Sequence, residues 1–104
     1  MIGTDIFKIN RISLKESLAS SILTGDEWEE YRCLRNDEQK KVYLATHFCA
    51  KEAIFKATQD QQYLSYEILH KENGSPYVKN HPEIEISISH DGEYVVSFVY
   101  IQEK

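Results

Sequence analysis

Phe48-Cys49-Ala50-Lys51-Glu52-Ala53-Ile54-Phe55-Lys56-Ala57 is the most informative run in this chain of 104 residues. It lies within a long stretch free of Gly and Pro. Asn36, with Gln39 three residues on, supplies a helix start, so the pattern predicts one long helix over Asp37–Thr58. On a helical wheel of about 100° per residue, Phe48, Phe55, Ala45, Cys49, Ala53 and Ala57 share one arc, which we assign to the core. Glu52 and Lys56 fall inside that arc. Lys51 and His47 fall outside it, on the more polar side. An i,i+4 Glu–Lys pair on a solvated face contributes only a few tenths of a kcal/mol. Burying the same two charges among Phe, Ala and Cys costs several kcal/mol per ion unless they are paired or bind a ligand.

Upstream of this helix, the first nine residues read as a strand, with Gly3, Asp5, Phe7 and Ile9 on one face. Ser13 with Glu16, and Thr24 with Glu27, match capping boxes and predict short helices over Leu14–Leu23 and Gly25–Leu34. Downstream, Gln59–Gln62 reads as a polar loop. Strands are expected over Leu64–His70 and Tyr77–Lys79 around the Asn73-Gly74 turn. A hairpin of Ile84–His90 and Tyr94–Ile101 is expected at Asp91-Gly92. The order strand, helices, antiparallel strands is that of an α+β fold, an antiparallel sheet packed against a long helix. Residues 1–104 read as a single domain with no repeat or linker.

Composition removes several function classes. The formal charge of −5 argues against nucleic acid as a partner, since phosphate neutralisation needs clustered Lys and Arg. No apolar run approaches the ~20 residues of a membrane span, and no basic-then-apolar signal opens the chain. Cys33 and Cys49 lack metal spacing and form no disulfide framework, so a cytoplasmic location is expected. A chain this short buries a modest core, which makes an oligomer plausible.

Two further polar residues stand on apolar faces. Asp5 shares the inner face of the first strand, and His90 ends the Ile84, Ile86, Ile88 face. A hydrogen bond to a neighbouring helix end is the plain reading for Asp5, and a satisfied structural histidine that for His90. Together with Glu52 and Lys56, they can instead converge at one rim of the sheet. Two carboxylates without a soft ligand favour Mg²⁺, which keeps several waters and completes its shell with substrate phosphate. Lys and His beside it would neutralise phosphate charge or move a proton. The residues alone thus point to a Mg²⁺-dependent phosphate-ester or pyrophosphate site.

The same residues resemble the holo-acyl-carrier-protein synthase group of 4'-phosphopantetheinyl transferases almost end to end. Gly3-Thr4-Asp5 resembles its opening Gly-x-Asp strand, and Arg11-Ile12 its entry into the first helix. Leu23-Thr24 with Glu27 resembles its Leu-Thr-x-x-Glu segment. Phe48 to Ala57 matches its Phe-x-x-Lys-Glu-Ala-x-x-Lys-Ala helix. Asn73-Gly74-Ser75-Pro76 matches its Asn-Gly-x-Pro turn, and Ser87-Ile88-Ser89-His90 its Ser-x-Ser/Thr-His hairpin. The resemblance implies transfer of the phosphopantetheine arm of coenzyme A to a serine of an acyl carrier protein, releasing 3',5'-ADP. It also implies a place in fatty acid biosynthesis and a trimer with sites at subunit boundaries. By position, Asp5 and Glu52 would hold the Mg²⁺, and Lys56 would neutralise or protonate the leaving phosphate. His90 and His47 would contact coenzyme A. Arg11 would meet the acidic carrier protein or the nucleotide, within a basic cluster that includes Lys8 and Lys15.

The chain departs from that pattern in places. His47 stands where the family has Arg, and Ser17 and Ser21 stand where it has Arg residues. Gln59-Asp60-Gln61-Gln62 replaces its Gly-rich loop. These changes remove positive charge and close backbone approach. They keep open a second reading, a non-catalytic relative that binds coenzyme A or a carrier protein. Binding without turnover would distinguish it. A third reading, an unrelated Mg²⁺-dependent phosphohydrolase, would release phosphopantetheine into water with no acceptor.

Overall fold

The computed structural model describes residues 1–102. The chain runs β1 (Ile2–Lys8), a 3-10 turn (Ile9–Arg11), α1 (Glu16–Ile22), α2 (Gly25–Arg32) and α3 (Asp37–Thr58). A second 3-10 turn (Tyr63–Ser65) is followed by β2 (Ile68–His70), β3 (Pro76–Val78), β4 (Ile84–Asp91) and β5 (Tyr94–Ile101). β1, β5 and β4 form one antiparallel sheet in that order, and β2 and β3 form a separate ribbon. The α+β expectation therefore holds. No helix among the described residues is long and apolar enough to cross a membrane.

Local chemistry sets most of the boundaries. Thr24 and Glu27 form the reciprocal capping box that starts α2, and the Asn36 side chain accepts from Gln39 N to start α3. Ser13 behaves differently. Its hydroxyl accepts from Lys15 N at 3.2 Å, a local turn that delays α1 to Glu16. The expected strand from Leu64 shortens to β2 because Tyr63–Ser65 coil into the 3-10 turn. In the β4–β5 hairpin, Asp91 pairs with Tyr94, so the two-residue loop is Gly92-Glu93, with Gly92 at φ 58°.

β1 lies directly on α3. A Cβ on Gly3 would stand 1.9 Å from the Ala53 carbonyl oxygen, so only glycine permits this approach. The sheet face that meets α3 carries Gly3, Val95, Ser97, Val99 and Ile101, all buried. The opposite face carries Ile2, Ile6, Val96, Phe98 and Tyr100, all exposed.

The wheel's arc holds for Ala45, Cys49, Ala53 and Ala57 but not for Phe48 and Phe55, which are half-buried, and it omits a second buried side. α3 is covered on two sides, by the sheet on one and by α1, α2 and β2 on the other, and it buries Leu44, His47, Ala50, Lys51 and Ile54 besides Ala45, Cys49, Ala53 and Ala57. Its open sector carries Phe48, Glu52 and Phe55, half-buried, and Lys56, exposed. An argument from one apolar arc fails for a helix sandwiched between two layers. Lys51, expected on the polar side, is 1% exposed and faces Glu27, which is 0% exposed.

That buried pair is fully engaged. Lys51 Nζ donates to Glu27 Oε1 at 2.5 Å and to the Ile22 carbonyl at 2.6 Å. Glu27 also accepts from Thr24 N and Ile68 N, both at 2.8 Å. The ion pair thus ties α3 to the ends of α1 and α2 and to β2. Desolvation lowers the Lys51 pKa, against the pull of Glu27. Removing one partner leaves an uncompensated buried charge. Lys51→Met is therefore expected to lower stability by about 3–5 kcal/mol in a urea titration. A loss under about 1 kcal/mol would show that Glu27 needs no cation.

Candidate functional site

The open sector of α3 faces the Asp5 end of β1. Asp5, half-buried, accepts at Oδ1 from Lys56 Nζ at 2.9 Å, and the same ammonium donates to the Thr4 carbonyl at 3.0 Å. The hydrogen bond from Lys56 to Asp5 is the main reason the Lys56 pKa is raised, so this group stays an ammonium. Glu52 sits one helical turn before Lys56. Its Oε1 accepts a hydrogen bond from the Tyr63 hydroxyl. Burial first, and then the bond to Glu52, push the Tyr63 pKa to about 12, so Tyr63 stays a donor at neutral pH. The charges of Asp5 and Glu52 both act on Lys56 and on Tyr63, which marks the four side chains as one cluster.

An aromatic wall flanks the cluster. The Phe48 ring packs edge-on against Tyr63, with centroids 6.2 Å apart, and against Phe7 at 5.3 Å. The Arg11 guanidinium lies over the Phe7 ring, 5.8 Å from its centroid. Arg11 is thereby held at the end of the same open face. Lys15 is exposed at the start of α1, while Lys8 stands 3.7 Å from Glu93 in an exposed ion pair.

Asp5, Glu52 and Lys56 are therefore brought together as expected. His90 is not among them. It lies on β4, at the other edge of the sheet from β1, where it pairs with Val95 and its exposed ring sets Nε2 2.8 Å from Thr46 Oγ1. His90 keeps the expected face, opposite buried Val95 and against Thr46 of α3, but at the hairpin end of β4 its ring is exposed.

His47 is also corrected. It presents nothing to a ligand. Its ring is enclosed, stacked on Tyr43 with centroids 4.0 Å apart. Nδ1 donates to the Tyr43 carbonyl at 2.9 Å, and Nε2 has no hydrogen-bond partner among the described residues, with Glu27 Oε2 3.7 Å away. Burial lowers the His47 pKa, outweighing Glu27, so the ring is neutral in the folded chain.

The donor set constrains the ion it can take. Among the described residues no group of three or more His, Cys, Asp or Glu side chains converges as a cage. Asp5 and Glu52 offer hard carboxylate oxygens and no sulfur or imidazole. Such a pair fits Mg²⁺, which is held by one or two carboxylates and fills the remaining positions with water and phosphate. A groove of about 570 Å³ between β3 and β4 is lined by Tyr77, His81 and Glu85 and by none of these side chains. Tyr63 was missed in the sequence because its role depends on a loop path that no periodicity encodes.

Comparison with known proteins agrees along the whole chain. The sequence model of the 4'-phosphopantetheinyl transferase superfamily matches residues 1–99. A holo-[acyl-carrier-protein] synthase of Onion yellows phytoplasma is 33% identical, covering 97% of this chain and 92% of its own length. One of Mycoplasmopsis pulmonis is 37% identical, over 95% and 87%. Among solved structures, a Bacillus anthracis holo-(acyl-carrier-protein) synthase in complex with CoA (3',5'-ADP) superposes with a TM-score of 0.85 at 29% identity, covering 99% of this chain and 96% of that one. The Neisseria meningitidis synthase gives 0.85 at 27%, over 98% and 97%.

The neutral, buried His47 has a pH signature. The unfolded chain takes up this proton below about pH 6.5 while the folded chain resists it. Stability is therefore full above that value and falls as pH drops toward the lower folded pKa, by up to about 1.4 kcal/mol per pH unit. Urea titrations between about pH 7.5 and 5.5 should show this slope in the wild type and a shallower one in His47→Gln. Equal slopes would contradict the assignment.

Proposed function

Because the chain belongs to the 4'-phosphopantetheinyl transferase superfamily, we propose that it transfers the phosphopantetheine arm of coenzyme A to a serine of an acyl carrier protein, releasing 3',5'-ADP, with Mg²⁺ as cofactor. The observation that carries this reading is the grouping of Asp5, Glu52 and Lys56 on the open sector of α3, in a chain that matches the family over nearly its whole length. We read residues 1–104 as one catalytic domain acting in the cytoplasm, in fatty acid biosynthesis.

When bound, Mg²⁺ would supply charge stabilisation to the pyrophosphate, whose P–O–P bridge breaks as the carrier serine oxygen bonds to the arm's phosphorus and 3',5'-ADP leaves. Asp5 and Glu52 would hold the ion. The Lys56 ammonium, kept charged by Asp5, suits neutralisation of the leaving phosphate better than donation of a proton to it. Phe7 and Phe48 form an apolar wall that limits water beside the reacting groups. Arg11 and Lys15, exposed near the start of α1, offer an acidic carrier helix a basic landing point whose effect is on the association rate and falls with salt.

The outer sheet face supports a trimer. Ile2 is 60% exposed and Ile6 64%, beside Val96, Phe98 and Tyr100, and a self-association surface would cover them. In such an assembly the exposed His90 on β4 would be available to coenzyme A bound at a neighbour's Asp5 and Glu52. Light scattering should give about three times the chain mass for the wild type and a smaller mass for Phe98→Glu. A monomeric wild type would remove this part of the reading.

The function is tested by mass spectrometry of a co-encoded carrier protein incubated with the chain, coenzyme A and Mg²⁺. A gain of one phosphopantetheine arm is expected. Glu52→Gln should lower the rate at least about 100-fold with an unchanged melting temperature. An equally active variant would break the metal assignment. Coenzyme A binding with no arm transferred to any carrier would favour the non-catalytic reading.

A further inference from the structure

The loop after α3 does more than join the helix to β2. It begins with Gln59 at φ 63°, a left-handed conformation that glycine usually occupies, and its N–H donates to the Phe55 carbonyl at 2.6 Å. Three bonds then fix the path. Asp60 N donates to Thr58 Oγ1 at 3.0 Å, Gln62 N to Asp60 Oδ1 at 3.1 Å, and the Tyr66 hydroxyl to Asp60 Oδ2 at 2.9 Å. The segment without glycine is thus built from side-chain bonds around Asp60. Its product is the position of Tyr63, with its ring against Phe48 and its hydroxyl on Glu52 Oε1.

A glutamate on an open helix sector has several rotamers. A ligand carboxylate that must first be ordered binds its ion more weakly than one already held. We propose that Tyr63 is a positioning residue, whose hydroxyl holds Oε1 of Glu52 and leaves Oε2 aimed at a divalent cation shared with Asp5. This rests on the reading of Asp5 and Glu52 as metal ligands. In this chain, an aromatic hydroxyl anchored by Asp60 takes over the ordering of the carboxylate from outside the helix.

Tyr63→Phe removes the hydroxyl and keeps the ring on Phe48. Binding of Mn²⁺ in the presence of coenzyme A, followed by loss of the free-ion electron paramagnetic resonance signal, should weaken about tenfold. The Mg²⁺ concentration for half-maximal transfer should rise by about the same factor, far more than the rate at saturating Mg²⁺ falls. The melting temperature should stay within about 2 °C of wild type, which a purely structural role for the loop would not combine with weaker ion binding. Unchanged Mn²⁺ affinity in Tyr63→Phe, alongside lost affinity in Glu52→Gln, would overturn the positioning role alone. Unchanged affinity in Glu52→Gln would overturn the metal reading and this inference with it.

Discussion

The rotation of α3 about its own axis is set by the buried bond between Lys51 and Glu27. Lys51 and Glu52 are adjacent in sequence and so point about 100° apart around the helix. Once Lys51 is committed to Glu27 and the Ile22 carbonyl, Glu52 has no choice but the open sector, and Lys56, one turn on, joins it. A buried ion pair is weak as a source of net stability, since desolvation consumes most of its Coulomb energy. Its use here is specificity: any other rotation of α3 strands a charge in an apolar layer.

Gly3 fixes the second coordinate. The close contact of β1 with the Ala53 carbonyl sets the height of the strand on the helix, and Asp5, two residues on and on the same face, arrives beside Lys56. Cys49 and Ser97 complete this seam, with the thiol 3.4 Å from the Asp5 carbonyl and 3.2 Å from Ser97 Oγ. The thiol pKa is pushed up to about 11, chiefly by burial, so Cys49 acts as a small packing group and not as a nucleophile. Two interactions, one ionic and one steric, thereby fix where Asp5 and Glu52 stand relative to α3.

Elements governed by local chemistry were legible in the sequence. The extent of α3, the Thr24–Glu27 box, the Asn73-Gly74 turn and the β5 alternation all follow from neighbours within four residues. Asp5 and Glu52 stand out in the sequence because carboxylates in apolar contexts are conspicuous, although Glu52 lies on the open sector of α3 and not in the core. What failed depended on tertiary cover. Lys51 and His47 look solvated by residue type, and only the second layer of helices over α3 buries them. Tyr63 depends on the path of the loop around Asp60, and the partner of His90 on which turn of α3 the hairpin end meets.

Asp5 and Glu52 are proposed to share one divalent ion beside Lys56. Anomalous diffraction from crystals grown with coenzyme A and Mn²⁺ tests it without reference to turnover. The account predicts a single strong peak within coordination distance of both carboxylates, with a coenzyme A phosphate oxygen in the same shell. A peak bound by only one of the two residues, or an ion held elsewhere with Asp5 still closed onto Lys56, would contradict it.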